Sequence, residues 1–156
     1  MSRVIPVLLA VVALLGLAAC GSDDAAKERN AYADQVNRAQ TSFAQTFKSL
    51  SRRISSTTTP ARGRRTLQGF EDAVDTVVTD LQRIDAPSDL QPLHRQLIDE
   101  IADYGRAIGE AKDEFATGSP QRSEAAQSAL VDATTKISAR INRTIAAINR
   151  QLQAKK

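Results

Sequence analysis

The chain is poor in the residue types that carry most metal and thiol chemistry in proteins. It has one cysteine, one histidine and one methionine in 156 residues. These counts exclude a disulfide scaffold, and they exclude zinc, haem or copper sites built from Cys, His and Met ligands of a single chain. We therefore expect no metal site of these kinds, and we assign no metal and no cofactor to the chain.

Aromatic residues are also scarce. They make up 4% of the chain, with no tryptophan, although 42% of the residues are hydrophobic. A core of this composition must be built from Leu, Ile, Val and Ala, which favours helices packed on helices over an aromatic-rich β-sandwich.

Apolar residues recur at intervals of three and four, the period of an amphipathic helix. They predict four helices, at residues 24–56, 64–84, 89–117 and 120–153. Three features separate them: a Ser/Thr-rich loop over 55–63, a capping box of Ser88 and Gln91, and the sequence Gly118-Ser119-Pro120. Because the connections are short, we predict an all-α, antiparallel up-down-up-down four-helix bundle over residues 25–156. The alternative is a bundle of three packed helices with one helix loose.

The first residues have the layout of a secretory signal. Arg3 precedes an apolar run from Val4 to Leu17. A membrane-spanning helix needs about 20 apolar residues, so this run is too short for one. A short apolar run behind a basic residue and ending on small residues is typical of a cleaved signal peptide.

The run ends in Leu17-Ala18-Ala19-Cys20. This motif resembles the lipobox of bacterial lipoproteins, which is Leu, two small residues and Cys. The resemblance covers residues 1–20 and implies signal-peptidase recognition of Leu17, Ala18 and Ala19, removal of residues 1–19, and lipidation of Cys20. Residues 20–24 would then be the acylated cysteine, with fatty chains such as palmitate, and a short tether. The alternative is an uncleaved anchor helix with a chance cysteine.

The resemblance implies a location on the extracytoplasmic face of a cell membrane, with membrane lipid as the partner of acylated Cys20. An even number of helices returns the C-terminus to the membrane, which would bring Arg150, Lys155 and Lys156 near anionic lipid. We favour the interpretation that these basic residues complement the dipole of the last helix, with contact to anionic lipid as the alternative.

Charge is divided between segments. Residues 25–65 and 119–156 are mainly basic, and residues 66–118 are mainly acidic. Opposite charges on neighbouring helices assist pairing, and the alternative is a face that binds an unknown protein partner. A group of basic residues is expected at the end of the bundle that points away from the membrane. Because no aromatic residues are interleaved with it, a cell-wall polymer is favoured over a nucleic acid as its partner. The group comprises Arg52, Arg53, Arg62, Arg64 and Arg65.

Catalytic candidates are few. We expect His94 to lie half covered at the edge of an apolar stripe, with no nucleophile motif beside it. Glu100 lies nearer the apolar stripe and is alone there. The acidic line of Asp99, Asp103, Glu110 and Glu114 points opposite the stripe, so we interpret it as a solvated face, with a glycosidase carboxylate pair or a hard-cation site as the alternative. We assign no catalytic residue.

Gly105 and Gly109 lie four residues apart in the predicted third helix, where each costs about 1 kcal/mol. We interpret them as a site of close packing within the bundle or a tolerated soft spot, with a shallow apolar slot or a close approach by a partner helix as the alternatives. The sequence thus predicts a membrane-anchored lipoprotein that acts by binding or as an envelope component. The alternative function is an extracytoplasmic module that takes an apolar or amphipathic molecule between helices.

Overall fold

The chain folds as an all-α, antiparallel up-down-up-down four-helix bundle. The computed structural model describes residues 23–54, 60–116 and 120–154, and within these ranges there is no β-strand. The helices are α1 (Asp23–Ile54), α2 (Pro60–Gln82), α3 (Gln91–Ala116) and α4 (Pro120–Ala154). None of these helices is both long enough and apolar enough to span a bilayer.

Proline sets the start of two helices. Both α2 and α4 begin at a proline, Pro60 and Pro120. The first position of a helix suits proline, since the missing N–H has no helical partner there and φ is already helical. The start at Pro120 agrees with the prediction. The placement of residues 60–63 in a loop was wrong: the β-branched run ends at Thr59 and the helix begins at once.

The connection between α2 and α3 is also tighter than predicted. Ile84 was expected inside the second helix but follows it in a turn. The Ile84 amide donates to the Leu81 carbonyl oxygen at 3.0 Å. The predicted capping box is replaced by main-chain bonds, because the Gln91 amide donates to the Pro87 carbonyl oxygen at 3.1 Å. This turn delays the start of α3 from residue 89 to residue 91.

The packing order follows the chain. Helix α2 packs against α1 and α3, and α3 packs against α4. We call the end where α1 begins the proximal end, and it also holds the α2–α3 connection and the last turns of α4. The opposite end is the distal end. At 1.5 Å per residue, the 32 residues of α1 span about 48 Å between them.

The core has two parts. The proximal part draws on all four helices, with Tyr32 from α1, Leu81 from α2, Leu97 from α3 and Ile148 from α4 each at most 2% exposed. The buried residues of the distal part come from α2 and α3, namely Leu67, Phe70, Ala73, Val74 and Ile108. Among the described side chains, the buried residues of α1 are Tyr32, Val36 and Ala39, and all three belong to the proximal part of the core.

Candidate functional site at the proximal end of the bundle

The proximal end is held together by a polar network between three elements. Arg29 of α1 donates to Asp89 Oδ2 at 2.6 Å and to the Gln151 carbonyl oxygen of α4 at 3.4 Å. The Gln151 side-chain amide donates in turn to the Asp89 carbonyl oxygen at 2.7 Å. The Arg29 and Asp89 side chains are only 15% and 20% exposed, so solvent screens this pair less than a surface pair. The network fixes the second turn of α1 against the rest of the bundle.

One turn further along α1, a second polar chain crosses the core. The His94 ring lies between Tyr32 and the end of α2, with Nδ1 3.2 Å from the Tyr32 hydroxyl and Nε2 3.0 Å from the Leu81 carbonyl oxygen. A carbonyl oxygen only accepts, so Nε2 carries the proton, and in the neutral ring Nδ1 accepts from the Tyr32 hydroxyl. The two rings meet edge to face with centroids 5.5 Å apart. His94 thus joins α1, α2 and α3.

Burial sets the protonation of this chain. His94 is 5% exposed, so its predicted position at a half-covered edge was wrong. Burial lowers the pKa of His94, partly offset by its hydrogen bond to the Leu81 carbonyl. Burial also raises the pKa of Tyr32 to about 12. Both rings are therefore neutral near pH 7, and both ring nitrogens of His94 already have partners.

The structure places one of the predicted membrane-contact residues at this end. Arg150 is exposed and precedes Gln151, which belongs to the polar network. Lys155 and Lys156 lie outside the described residues, as do Leu17, Ala18, Ala19 and Cys20. In the sequence, only Gly21 and Ser22 separate Cys20 from the first residue of α1.

The acidic line of α3 is mostly solvated, as predicted, with Asp99, Glu110 and Glu114 exposed. Asp103 is half-buried and pairs with Arg106 on its own helix and with Arg140 on α4. Among the residues that the structure describes, no three His, Cys, Asp or Glu side chains are grouped as metal ligands.

Glu100 is buried in the same helix at 7% exposure. One carboxylate oxygen accepts from the Gln96 amide at 3.0 Å. The other, Oε2, has no hydrogen-bond partner in the described structure.

The two glycines mark close packing of α2 and α3, as predicted. A Cβ at Gly105 would lie 3.1 Å from Val74 Cγ1, and a Cβ at Gly109 would lie 3.1 Å from Glu71 Oε1. The seam is closed at these points, because Val74 is 1% exposed and Glu71 pairs with Lys112 of α3. An apolar slot beside the glycines is not what the packing provides.

A surface depression of about 470 Å³ follows the outer face of α1 instead. Its lining is polar and comprises Asp34, Asn37, Arg38, Thr41, Ser42 and Gln45. The described residues lining it come from one helix, whereas the alternative function requires a site between helices.

Basic residues gather at the distal end as the sequence suggested. Arg62, Arg64 and Arg65 are exposed in the first two turns of α2. The side chains of Arg52 and Arg53 lie outside the described ones. The C-terminal turns of α3 bring the exposed acids Asp113 and Glu114 to the same end, so this tip carries charges of both signs.

Comparisons with known proteins give no family for this chain. No family model, no curated protein and no solved structure matches it.

Proposed function

We propose that this protein is a lipid-anchored component of a bacterial envelope, attached through Cys20 on the extracytoplasmic face of a membrane and acting by binding rather than by catalysis. The observation that carries the proposal is the motif Leu17-Ala18-Ala19-Cys20, in which the only cysteine of the chain closes a short apolar run. Two or three acyl chains bind a bilayer stably, at about 0.8 kcal/mol for each buried CH₂.

The geometry of the bundle supports this arrangement. The three chain steps from Cys20 to Asp23 span at most about 11 Å when extended, at about 3.6 Å per residue. An acylated Cys20 would therefore hold the proximal end close to the lipid headgroups, and the distal end would stand about 48 Å away along α1.

The end of α4 carries basic residues suited to an anionic surface, and the same end of the bundle also exposes the acids Asp24 and Asp85. Arg150 is exposed there, and Lys155 and Lys156 follow it closely in the sequence. A basic residue near an anionic membrane contributes about 1 kcal/mol. We propose anionic lipid as the partner of these three residues.

Replacing the anchor residue tests the proposal. In bacteria fed a clickable fatty acid, the wild-type chain should incorporate the label and fractionate with membranes. Cys20→Ala should do neither, and it should keep its leader because cleavage follows lipidation. Ser22→Ala is the matched control, since it leaves the motif intact. Labelling of Cys20→Ala, or wild-type protein found in the cytosol with residues 1–19 still attached, would overturn the proposal.

A further inference from the structure

Among the described residues, α3 and α4 hold four shielded polar side-chain atoms without a hydrogen-bond partner, one of them Asn149 Oδ1, and the other three belong to residues at nearby levels of the α3–α4 seam. These three atoms are Glu100 Oε2, Arg140 Nε and Thr144 Oγ1. Glu100 and Thr144 are more than nine-tenths buried, at 7% and 2% exposed. A buried polar atom without a hydrogen bond is costly, so three in one seam require an explanation.

The helix register places the three residues within about one helical turn of each other along the seam. Asp103 of α3 pairs with Arg140 of α4, which aligns these positions across the seam. Glu100 lies three residues before Asp103, and Thr144 lies four residues after Arg140. Because the two helices are antiparallel, the step from Asp103 to Glu100 and the step from Arg140 to Thr144 both lead toward the proximal end. Each step covers about one helical turn, or about 5 Å along the axis. Glu100 and Thr144 therefore lie at about the same level of the seam, one turn from Arg140 toward the proximal end.

The three atoms differ in hydrogen-bonding capacity. Glu100 Oε2 accepts, Arg140 Nε–H donates, and the Thr144 hydroxyl does either. A single molecule that both donates and accepts matches all three, and buried waters in proteins make two to four such bonds. A cation fits less well, because the Arg140 guanidinium already supplies positive charge.

We propose that the α3–α4 seam is a binding site for one ordered water molecule. The water donates to Glu100 Oε2, accepts from Arg140 Nε–H, and exchanges a hydrogen bond with the Thr144 hydroxyl. The water thus bridges Glu100 of α3 to Arg140 and Thr144 of α4, and this bridge stabilises the antiparallel register of the two helices.

The direction in which one substitution changes the stability of the fold tests this site. In the full chain in detergent micelles, Thr144→Val keeps the side-chain shape and removes the hydroxyl. With the water bound, the variant loses one of its partners, so the urea midpoint should fall. Without water, the exchange removes a buried hydroxyl that has no partner, so the midpoint should rise. Thr135→Val is the matched control, because Thr135 is an exposed residue of the same helix whose hydroxyl donates to the Val131 carbonyl oxygen.

A direct measurement accompanies the variant. In the wild type, the Thr144 methyl group should show a nuclear Overhauser cross-peak to a long-lived water molecule. The proposal is supported if this cross-peak is present and Thr144→Val lowers the midpoint more than Thr135→Val does. It is overturned if the cross-peak is absent, or if the midpoint of Thr144→Val rises or falls no further than that of the control.

Discussion

At the scale of single residues, His94 shows how position decides the role of a side chain. A histidine is a common general base, because an unperturbed imidazole changes its charge close to physiological pH. Here the ring is buried, neutral and bonded at both nitrogens, to Tyr32 and to the Leu81 carbonyl oxygen. Its role is structural: it satisfies a carbonyl at the end of α2 and gives Tyr32 of α1 a partner.

This position predicts an acid-sensitive fold. Because burial lowers the folded-state pKa of His94, the unfolded chain binds the proton more tightly. The contribution to stability is therefore complete above the unfolded pKa, about 6.5, and is lost as the pH falls below it. His94→Gln should remove this dependence between pH 7 and pH 5, as measured by urea unfolding. Since His94 is the only histidine, a variant with an unchanged pH profile would contradict the assignment.

At the scale of helices, the packing of α2 against α3 depends on glycines at two positions of α3, Gly105 and Gly109. Gly105 lies against Val74, a buried β-branched residue with little rotamer freedom. Gly109 lies against the end of Glu71, a flexible side chain that is 27% exposed. The same residue type thus serves tight packing at one position and is less constrained at the other.

The two glycines should respond in opposite directions to alanine. Each substitution gains about 1 kcal/mol of helix propensity. Gly109→Ala should keep most of this gain, because Glu71 can shift. Gly105→Ala should be net destabilising, because overpacking against Val74 costs about 1 to 3 kcal/mol. Chemical denaturation measures both, and a Gly105→Ala variant more stable than wild type would refute the close-packing interpretation.

The attachment of α1 depends on the polar network at the proximal end. A double-mutant cycle of Arg29→Ala and Asp89→Ala should give a coupling energy of about 1 to 3 kcal/mol, because the pair is shielded and charge-assisted. The exposed pair of Arg83 and Asp80, 3.7 Å apart, serves as the control and should couple by less than about 0.5 kcal/mol. Equal coupling in the two cycles would show that Arg29 does not hold α1 in place.

At the scale of the whole molecule, the bundle has two ends of different character. The proximal end collects the start of α1, the end of α4 and the α2–α3 connection around Arg29 and Asp89. The distal end carries exposed arginines at the start of α2, together with acids of α3. An anchor at Cys20 would give these ends different surroundings, one at the lipid and one about 48 Å from it.

Two matched triple variants, one at each end of the bundle, test which end contacts anionic lipid. For the chain from residue 20 with Cys20→Ser, we expect Arg150→Gln, Lys155→Gln and Lys156→Gln together to weaken binding to vesicles rich in phosphatidylglycerol by about 3 kcal/mol. The control neutralises Arg62, Arg64 and Arg65 at the distal end and changes the net charge equally. Vesicle co-sedimentation at low salt measures both. If the distal triple weakened binding as much, the proposed lipid contact would be wrong.

The sequence by itself determined the fold class and the course of the chain. The spacing of Tyr32, Val36 and Ala39, continued through four segments, requires helices with one apolar face, and short connections require antiparallel neighbours. It also predicted close packing at Gly105. These features are readable because they are local: each depends on residues within one or two helical turns.

Only the tertiary structure decided which polar groups meet. Arg29 and Gln151 are 122 residues apart, and Tyr32 and His94 are 62 apart, so no periodicity relates them. The burial of His94 depends on helix rotation, and the shared level of Glu100 and Thr144 along the α3–α4 seam depends on helix register. These are set by the summed packing of the apolar faces and not by any one segment, which is why the proximal network and the α3–α4 seam emerged only from the folded chain.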